Sequence, residues 1–336
     1  MKRFLIFVMV VVSLVVVLTA CAPAATPAPA ATSAPAATSA PVATVAPVTA
    51  EQLFVFLPKG LDNPYWDNCR KGMEAEMAKL GVKAEFIGPE KSDATLQVGV
   101  IESVIARKPA AIAISPNDPA TVNDLIAKAT AAGIKVITWD ADAPDSQRIL
   151  YIGTDNYNAG GTAAETMSKV LGGKGKVAIL NGALTALNAQ QRTNGFKDWM
   201  AKNAPGIEIV DDQATNDDAN TSASVAESIL QAHPDLAAFY GVTGNGVPGA
   251  GVAVKGANKC GTVHIVGFDV VPQGIELMKA GCVDALISQR PFGMTAKALD
   301  VMVDLANGKA YTEKMIDTGV EIVYPDGLDT FLTTDH

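Results

Sequence analysis

From residue 51 onward, short apolar runs rich in β-branched residues alternate with longer stretches whose apolar residues recur every three or four positions. The short runs have strand length and the longer stretches have the helical period. Strands that are apolar throughout are typical of parallel sheets covered by helices on both faces. The predicted strands are 53–57, 82–87, 110–114, 134–139, 149–153, 176–180, 207–210, 236–240, 262–268, 283–288 and 319–323. The predicted helices are 66–80, 95–107, 119–132, 157–171, 190–203, 218–231 and 292–307.

About eleven strands are too many for one compact unit of this kind. The pattern therefore predicts an α/β fold of two similar domains, each a doubly wound parallel sheet. The loop DADAPDSQRI at 140–149 is the one long polar break in the first half of the chain. We expect the first crossing between the two domains shortly after this loop.

The first twenty residues have the features of a secretory signal. A basic start, MKR, precedes an almost wholly apolar run over 4–18 and the tetrapeptide LTAC at 18–21. The apolar run is too short to favour a permanent transmembrane helix. LTAC resembles the lipobox of bacterial lipoproteins, which implies cleavage after a 1–20 signal peptide and diacylation of Cys21. The alternative is an ordinary signal peptide with an incidental cysteine.

Residues 22–50 carry no charge and consist of Ala, Pro, Thr, Ser and Val in a decaying six-residue repeat. A segment of this composition has no side chains for a packed core and is expected to be an extended tether. At ~3.1 Å per residue it could span at most roughly 90 Å. A lipid anchor followed by a tether would place the folded part outside the cytoplasmic membrane.

The acidic balance of the chain argues against one class of partner. The net charge is −9, and removal of Lys2 and Arg3 with the signal makes it −11. No cluster of Lys and Arg occurs, so nucleic acid is not an expected partner.

Three cysteines remain after Cys21, in a compartment that permits disulfides. Cys260 and Cys282 each directly precede a predicted strand, so they share one sheet edge if those strands are parallel neighbours. We predict a disulfide between them, with Cys69 left over on the first helix. Three buried free thiols are the alternative.

Six short motifs occur in a characteristic order: LDNPYW, ISPND, ITWDAD, QQRTNGF, VGFDVVPQG and LISQRP. Together they resemble the type I periplasmic binding proteins for sugars, the ribose-binding and autoinducer-2-binding group, over residues 51–332. The resemblance implies two sheet domains joined by a three-segment hinge near Thr154-Asp155, Gln289-Arg290 and Thr318-Gly319. The implied lobes are 51–154 plus 290–318, and 155–289 plus 319–336.

Ligands of open α/β sheets bind beyond the carboxyl ends of the strands. The resemblance places Tyr65 and Trp66 there, where a ring can cover the C–H face of a sugar. Their alternative is the core of the first helix. Asn63 can donate to and accept from hydroxyls, or it can cap the helix. Lys59 is either a ligand contact or a surface lysine.

Asp140, at the end of the fourth strand, can accept two hydroxyl hydrogens in charge-assisted bonds. Ser115 is a further candidate after the third strand, and Asp142 is a weaker one that could be solvent-exposed. Ala141 stands where ribose-type proteins carry an arginine, which argues against ribose itself. Trp139 is assigned to packing.

The second lobe supplies the other half of the predicted site. Arg192 is open to a second interpretation, as a structural ion-pair residue. The turn from Val242 through Asn245 is expected to approach the ligand through its backbone. The candidates on this lobe are Asn188, Gln190, Arg192, Asn245, Asp269 and Gln289.

The turn GNGVPG at 244–249 also fits the G-x-G-x-x-G pattern of dinucleotide sites, with Asp269 about twenty-five residues on. This keeps an exported NAD(P)-dependent oxidoreductase as an alternative, although Pro248, the short helix expected after the turn and the export signal argue against it. No other catalytic motif occurs, and the three histidines lie away from carboxyl-end turns. We therefore expect neither an enzyme nor a metal or cofactor.

The sequence predicts an extracytoplasmic solute-binding lipoprotein of an ABC importer. Its ligand would be a small sugar or polyol, held between the two lobes by hinge closure. Its other partner would be the transporter permease. The lipid anchor would be its only link to the membrane, and the protein would be a monomer. A signalling receptor of the autoinducer-2 or chemotaxis type remains an alternative. The sequence does not name the sugar.

Overall fold

The computed structural model describes residues 52–334. The predicted signal peptide, the cysteine proposed for lipidation and the tether lie outside the described residues.

One six-stranded sheet organises the first half of the folded chain. Each pair of neighbouring strands in it is parallel. The strand order is that of a doubly wound sheet, because β2 lies on one side of β1 and the later strands lie on the other. In spatial order the strands are β11 (Met315–Asp317), β5 (Tyr151–Gly153), β4 (Lys135–Trp139), β3 (Ala111–Ile114), β1 (Leu53–Leu57) and β2 (Lys83–Phe86).

The second sheet repeats this order. Its neighbouring strands are parallel except for β10 and β12, which are antiparallel. In spatial order they are β12 (Glu321–Val323), β10 (Ala285–Ser288), β9 (His264–Phe268), β8 (Leu236–Gly241), β6 (Lys174–Asn181) and β7 (Gly206–Ala214). Two α/β sheets of mostly parallel strands confirm the predicted fold class.

Helices cover both faces of each sheet, so that alternate strand residues enter different apolar cores. On the first sheet, α1 (Tyr65–Leu80) and α9 (Pro291–Ala306) cover one face, while α2 (Ala94–Ala106) and α3 (Pro119–Ala131) cover the other. On the second, α4 (Asn156–Leu171) and α5 (Leu187–Asn203) lie opposite α6 (Ala219–Ala232), α7 (Gly246–Gly256), α8 (Pro272–Lys279) and the short α10 (Leu328–Phe331). Each sheet with its helices is called a lobe below.

The chain passes between the two lobes three times. The crossings follow β5, β10 and β11. Thr318 N–H donates to Gly153 O, 3.1 Å apart, and Asp155 N–H donates to Asp317 Oδ1, 3.0 Å apart, so the first and third crossings are tied together. A short, bonded set of connections of this kind positions the strand ends of one lobe opposite those of the other.

Several elements differ from the sequence-based prediction. Strand β11 and helix α8 were not predicted, helix α7 was expected only as a short helix after the glycine turn, and the last strand joins its sheet antiparallel rather than parallel. Helix α7, GVPGAGVAVKG, has a low intrinsic helical propensity because of its glycines. Most of its residues are buried, so packing against its neighbours stabilises it. Strand β7 continues to Ala214, where a polar half, DDQA, follows the apolar half on the sheet edge.

Among the described residues, no helix is both long enough and apolar enough to span a membrane.

Cys260 and Cys282 form a disulfide with their Cα atoms 4.4 Å apart. They precede β9 and β10, which are parallel neighbours, so the sheet itself brings the two residues together. Cys69 in α1 is a buried free thiol. The pairing is the one predicted from strand order.

Replacing both Cys260 and Cys282 with Ser should lower the free energy of unfolding by about 3 kcal/mol. The bridge joins residues 22 positions apart and so closes a loop in the unfolded chain, which lowers the entropy of that chain. Thermal unfolding with and without a reductant would measure this. The reductant should lower the midpoint of the wild type and leave that of the double variant unchanged. An equal shift in both proteins would contradict a stabilising role for the disulfide.

Candidate functional site

The carboxyl ends of both sheets face one small polar cavity between the lobes. Polar side chains and two aromatic rings make up its wall, in agreement with the rule for ligand sites in open α/β sheets. The first lobe contributes Lys59, Asn63, Tyr65, Trp66, Ser92 and Asp140, and the second contributes Asn188, Arg192, Asp217, Thr243, Gly244, Asp269 and Gln289.

Asp140 directly follows β4, and a buried serine binds one oxygen of its carboxylate. The residue is 3% exposed, and its backbone is in the left-handed region with φ of 60°. Ser115 Oγ donates to Asp140 Oδ2, 2.6 Å apart. Within the described residues Oδ1 of Asp140 accepts no hydrogen bond, so it can take a ligand hydroxyl.

Asp269 faces Asp140 from the second lobe. Gln289 Nε2 donates to its Oδ1, 2.7 Å apart, and its φ is 74°. Burial raises the pKa of Asp269 to about 6, and the nearby Asp140 and Asp217 add to this effect, while Arg192 and Gln289 oppose it. Protonation of this carboxylate is therefore expected at mildly acidic pH, above the range of an ordinary aspartate.

Arg192 organises the second half of the cavity. Its side chain is 1% exposed, and its guanidinium carbon lies 4.0 Å from the centroid of the Phe268 ring. Nε donates to Asn156 Oδ1 at 2.8 Å, and the two terminal nitrogens donate to Val242 O and Gln289 Oε1. Three of its five N–H donors are thereby used, and two remain for a ligand. The ion-pair interpretation was wrong for the described residues, because no carboxylate lies within 4.0 Å of its nitrogens.

Lys59 crosses the cavity. Its Nζ donates to Asn188 Oδ1 on the other lobe, 2.7 Å away, and the residue is 5% exposed. Two side chains hold the backbone of the turn that carries Lys59. Asn117 Nδ2 donates to Lys59 O at 2.7 Å, and Gln97 Nε2 donates to Pro58 O at 3.0 Å. Lys59 is thus part of the cavity wall and not a surface lysine.

Tyr65 and Trp66 serve the cavity and the core together. Both rings line the cavity, yet each is at most 6% exposed. Trp66 packs edge-to-face on Tyr65 and on Trp139, with ring centroids 4.9 and 5.5 Å apart. The Tyr65 hydroxyl points to Met294 Sδ at 4.0 Å. A ring held this way is a rigid surface for the apolar face of a ligand.

The glycine turn of the GNGVPG motif lies against the opposite lobe. A Cβ built on Gly244 would lie 3.0 Å from Asp269 Oδ2 and 3.1 Å from Asn63 Nδ2. Asn63 Oδ1 accepts from the backbone N–H of Tyr65 at 3.0 Å, so its amide group faces the turn. The carboxylates of Asp217 and Asp269 lie beside the turn and would repel the negative charge of a pyrophosphate. We therefore assign the glycine at this position to close packing of the lobes.

Ser92 and Asp217 line the cavity but were not predicted from the sequence, and Thr243 was predicted to approach the ligand only through its backbone. Asp217 is 8% exposed, and its Oδ1 is buried with no hydrogen-bond partner among the described residues. Thr243 Oγ1 is in the same state. Because β7 was predicted to end at 210, the run Asn216-Asp217-Asp218 was not recognised as the carboxyl end of a strand. The rule used for the other strands would have found Asp217 with the correct boundary.

Four candidates lie elsewhere. Gln190 is exposed and donates to Leu184 O at 2.6 Å. Asn188 and Arg192 are four residues apart on one face of α5, and a residue midway between them points away. Ser115 is fully buried behind Asp140. Asn245 Nδ2 donates to Asp217 O, and Asp142 accepts from Arg148, so both have partners within the protein.

Comparison with known proteins identifies the chain's relatives. The family model described as a periplasmic binding protein domain matches residues 54–310. The D-allose-binding periplasmic protein of Escherichia coli is 29% identical over 260 residues, which cover 75% of this chain and 83% of that protein.

Solved structures agree with this match. An ABC transporter solute-binding protein of Burkholderia graminis in complex with D-arabinose is 38% identical, with a TM-score of 0.79 over 83% of this chain and 96% of its own. A glucose-galactose binding protein of Geobacillus stearothermophilus is 33% identical, with a TM-score of 0.78 over 82% of this chain and 98% of its own. The chain therefore belongs to the periplasmic binding protein family and has its type I fold.

Proposed function

We propose that the chain is the sugar-binding component of an ABC importer and works outside the cytoplasmic membrane. One observation carries the proposal: acceptor carboxylates from both lobes, amides and two rings face a single cavity between the lobes. Hydroxyl groups need acceptors and donors, and the C–H face of a sugar ring needs an aromatic surface. The relatives named above bind D-allose, D-arabinose, glucose and galactose, which have these groups.

The roles of the wall residues follow from their free atoms. Asp140, Asp217 and Asp269 accept hydroxyl hydrogens. The remaining donors of Arg192 and the ammonium group of Lys59 bind ligand oxygens. Asn63, Asn188 and Gln289 complete the polar contacts, and Trp66 with Tyr65 covers the ring.

Closure of the lobes is part of the proposed function. The lobes 51–154 plus 290–318, and 155–289 plus 319–336, would turn about the three crossings. A ligand that contacts both lobes stabilises the closed form and shifts the population toward it. The closed form would then engage the permease, with the protein acting as a monomer held by a lipid on Cys21.

A ligand panel tests the proposal. The full chain should unfold at a temperature several degrees higher with a saturating sugar from a panel of D-arabinose, D-ribose, D-allose, D-galactose, D-glucose, polyols and autoinducer-2. Thermal shift followed by calorimetry would measure this. A flat response to every member, together with stabilisation by NAD(P), would contradict the proposal and favour the oxidoreductase.

Replacing Asp140 with Ala should weaken binding of the sugar so identified by at least about 100-fold, because hydroxyl groups lose a shared charged acceptor. Calorimetry measures the dissociation constants. Asp145→Ala, an exposed residue of the same loop, is the matched control and should bind like the wild type. Equal affinities of the two variants would remove Asp140 from the site.

Sugar affinity should also depend on pH through Asp269. Above its pKa of about 6 the carboxylate is charged and is the stronger acceptor, so affinity should fall as the pH drops below that value. Folding raises this pKa, so protonation favours the folded state. The contribution of Asp269 to the free energy of unfolding therefore increases as the pH falls from about 6 toward the unfolded pKa.

Asp269→Asn keeps an oxygen for Gln289 but cannot titrate. Its affinity should be lower than that of the wild type at neutral pH and should not change over about pH 7.5 to 5. Calorimetry across this range, with the wild type in parallel, would decide. A wild-type affinity that does not change across pH 6 would contradict the role given to this carboxylate.

A further inference from the structure

Tyr151, in the strand that leads into the first crossing, occupies an unusual place. It is 4% exposed and does not line the cavity. Its hydroxyl lies 2.9 Å from Asp140 O and 3.0 Å from Thr154 O, and Asn156 Nδ2 donates to it at 3.2 Å. A single phenol therefore contacts a cavity residue, the crossing segment and the first turn of α4 in the second lobe.

These contacts continue into the second lobe. Asn156 presents Oδ1 to Arg192 Nε at 2.8 Å, which orients its amide so that Nδ2 faces the phenol. Arg192 donates to Gln289 Oε1, and Gln289 Nε2 donates to Asp269 Oδ1 at 2.7 Å. An unbroken series of hydrogen bonds thus joins the backbone of Asp140 in one lobe to the carboxylate of Asp269 in the other.

The local sequence makes room for this phenol. A Cβ on Gly153 would lie 2.3 Å from the Tyr151 hydroxyl oxygen, so only glycine fits there without a shift. Burial, with the charge of Asp140, raises the pKa of Tyr151 well above its ordinary value. The hydroxyl therefore keeps its proton and remains a donor.

We propose that Tyr151 is a positioning residue for ligand binding: its hydroxyl couples the geometry of the crossing to the placement of both cavity carboxylates. The residue acts without touching the ligand. Its effect on affinity rests on the proposed function, but its effect on the crossing does not.

Tyr151→Phe should weaken sugar binding by about tenfold, because buried acceptors and the Asn156 amide lose their partner. Tyr240→Phe is a matched control. Tyr240 is a fully buried strand tyrosine, stacked on Phe196, and its hydroxyl has no hydrogen-bond partner among the described residues. The control should bind like the wild type, and an equal loss in both variants would overturn the proposal.

A double-mutant cycle with Asn156→Ala separates positioning from simple damage. If the hydrogen bonds act as one series, Tyr151→Phe should change affinity by no more than about twofold in the Asn156→Ala background. Two independent structural lesions would instead multiply, and a full tenfold loss in that background would overturn the proposal.

Hydrogen exchange of the ligand-free full chain provides a readout that needs no sugar. Peptides covering 139–156 should exchange several-fold faster in Tyr151→Phe than in the wild type, and Tyr240→Phe should not differ there. A wild type that binds no sugar would contradict the proposed function alone, and exchange would still test Tyr151. Unchanged exchange in Tyr151→Phe would contradict the positioning role alone.

Discussion

The buried guanidinium of Arg192 is the interaction on which the second half of the site depends. Removing a charge from water is costly unless hydrogen bonds replace its hydration. Here two side-chain amides, one backbone carbonyl and the face of the Phe268 ring replace the hydration of the guanidinium. Each of these groups comes from a different element, so satisfying the one cation fixes the ends of β8, β9 and β10 and the start of α4 relative to α5. Gln289 is held by Arg192 and in turn holds Asp269.

The two lobes use the same position for the same chemistry. Asp140 follows the fourth strand of the first lobe, and Asp269 follows the fourth strand of the second. Both residues, and Asp217 as well, have a left-handed backbone, which Asp tolerates better than most residues and which is common where strain is kept for function. This backbone turns each carboxylate out of its strand and toward the cavity. A ligand with hydroxyls on opposite sides can then be held by both lobes.

Much of this arrangement could be predicted from the sequence, because it follows from strand order. The alternation of strands and helices predicts the fold class, and the carboxyl-end rule predicts Asp140, Asp269 and Gln289. The disulfide between Cys260 and Cys282 follows from the same reasoning. The rule failed for Asp217, where a polar edge strand has no clear apolar boundary. It also failed for Gln190, whose direction depends on where α5 begins, and a shift of two helical residues turns a side chain to the opposite face. The hydrogen bonds of Tyr151 depend on tertiary contacts that no local pattern contains.

We propose that one ligand, held by carboxylates from both lobes, closes the molecule. Small-angle X-ray scattering of the full chain with and without the sugar that binds it tests this most directly. The same chain is used in both measurements, so we attribute a difference in the radius of gyration to the lobes. We expect a contraction that saturates with the binding isotherm and is absent in Asp140→Ala. Tight binding with no change in the radius of gyration would contradict it.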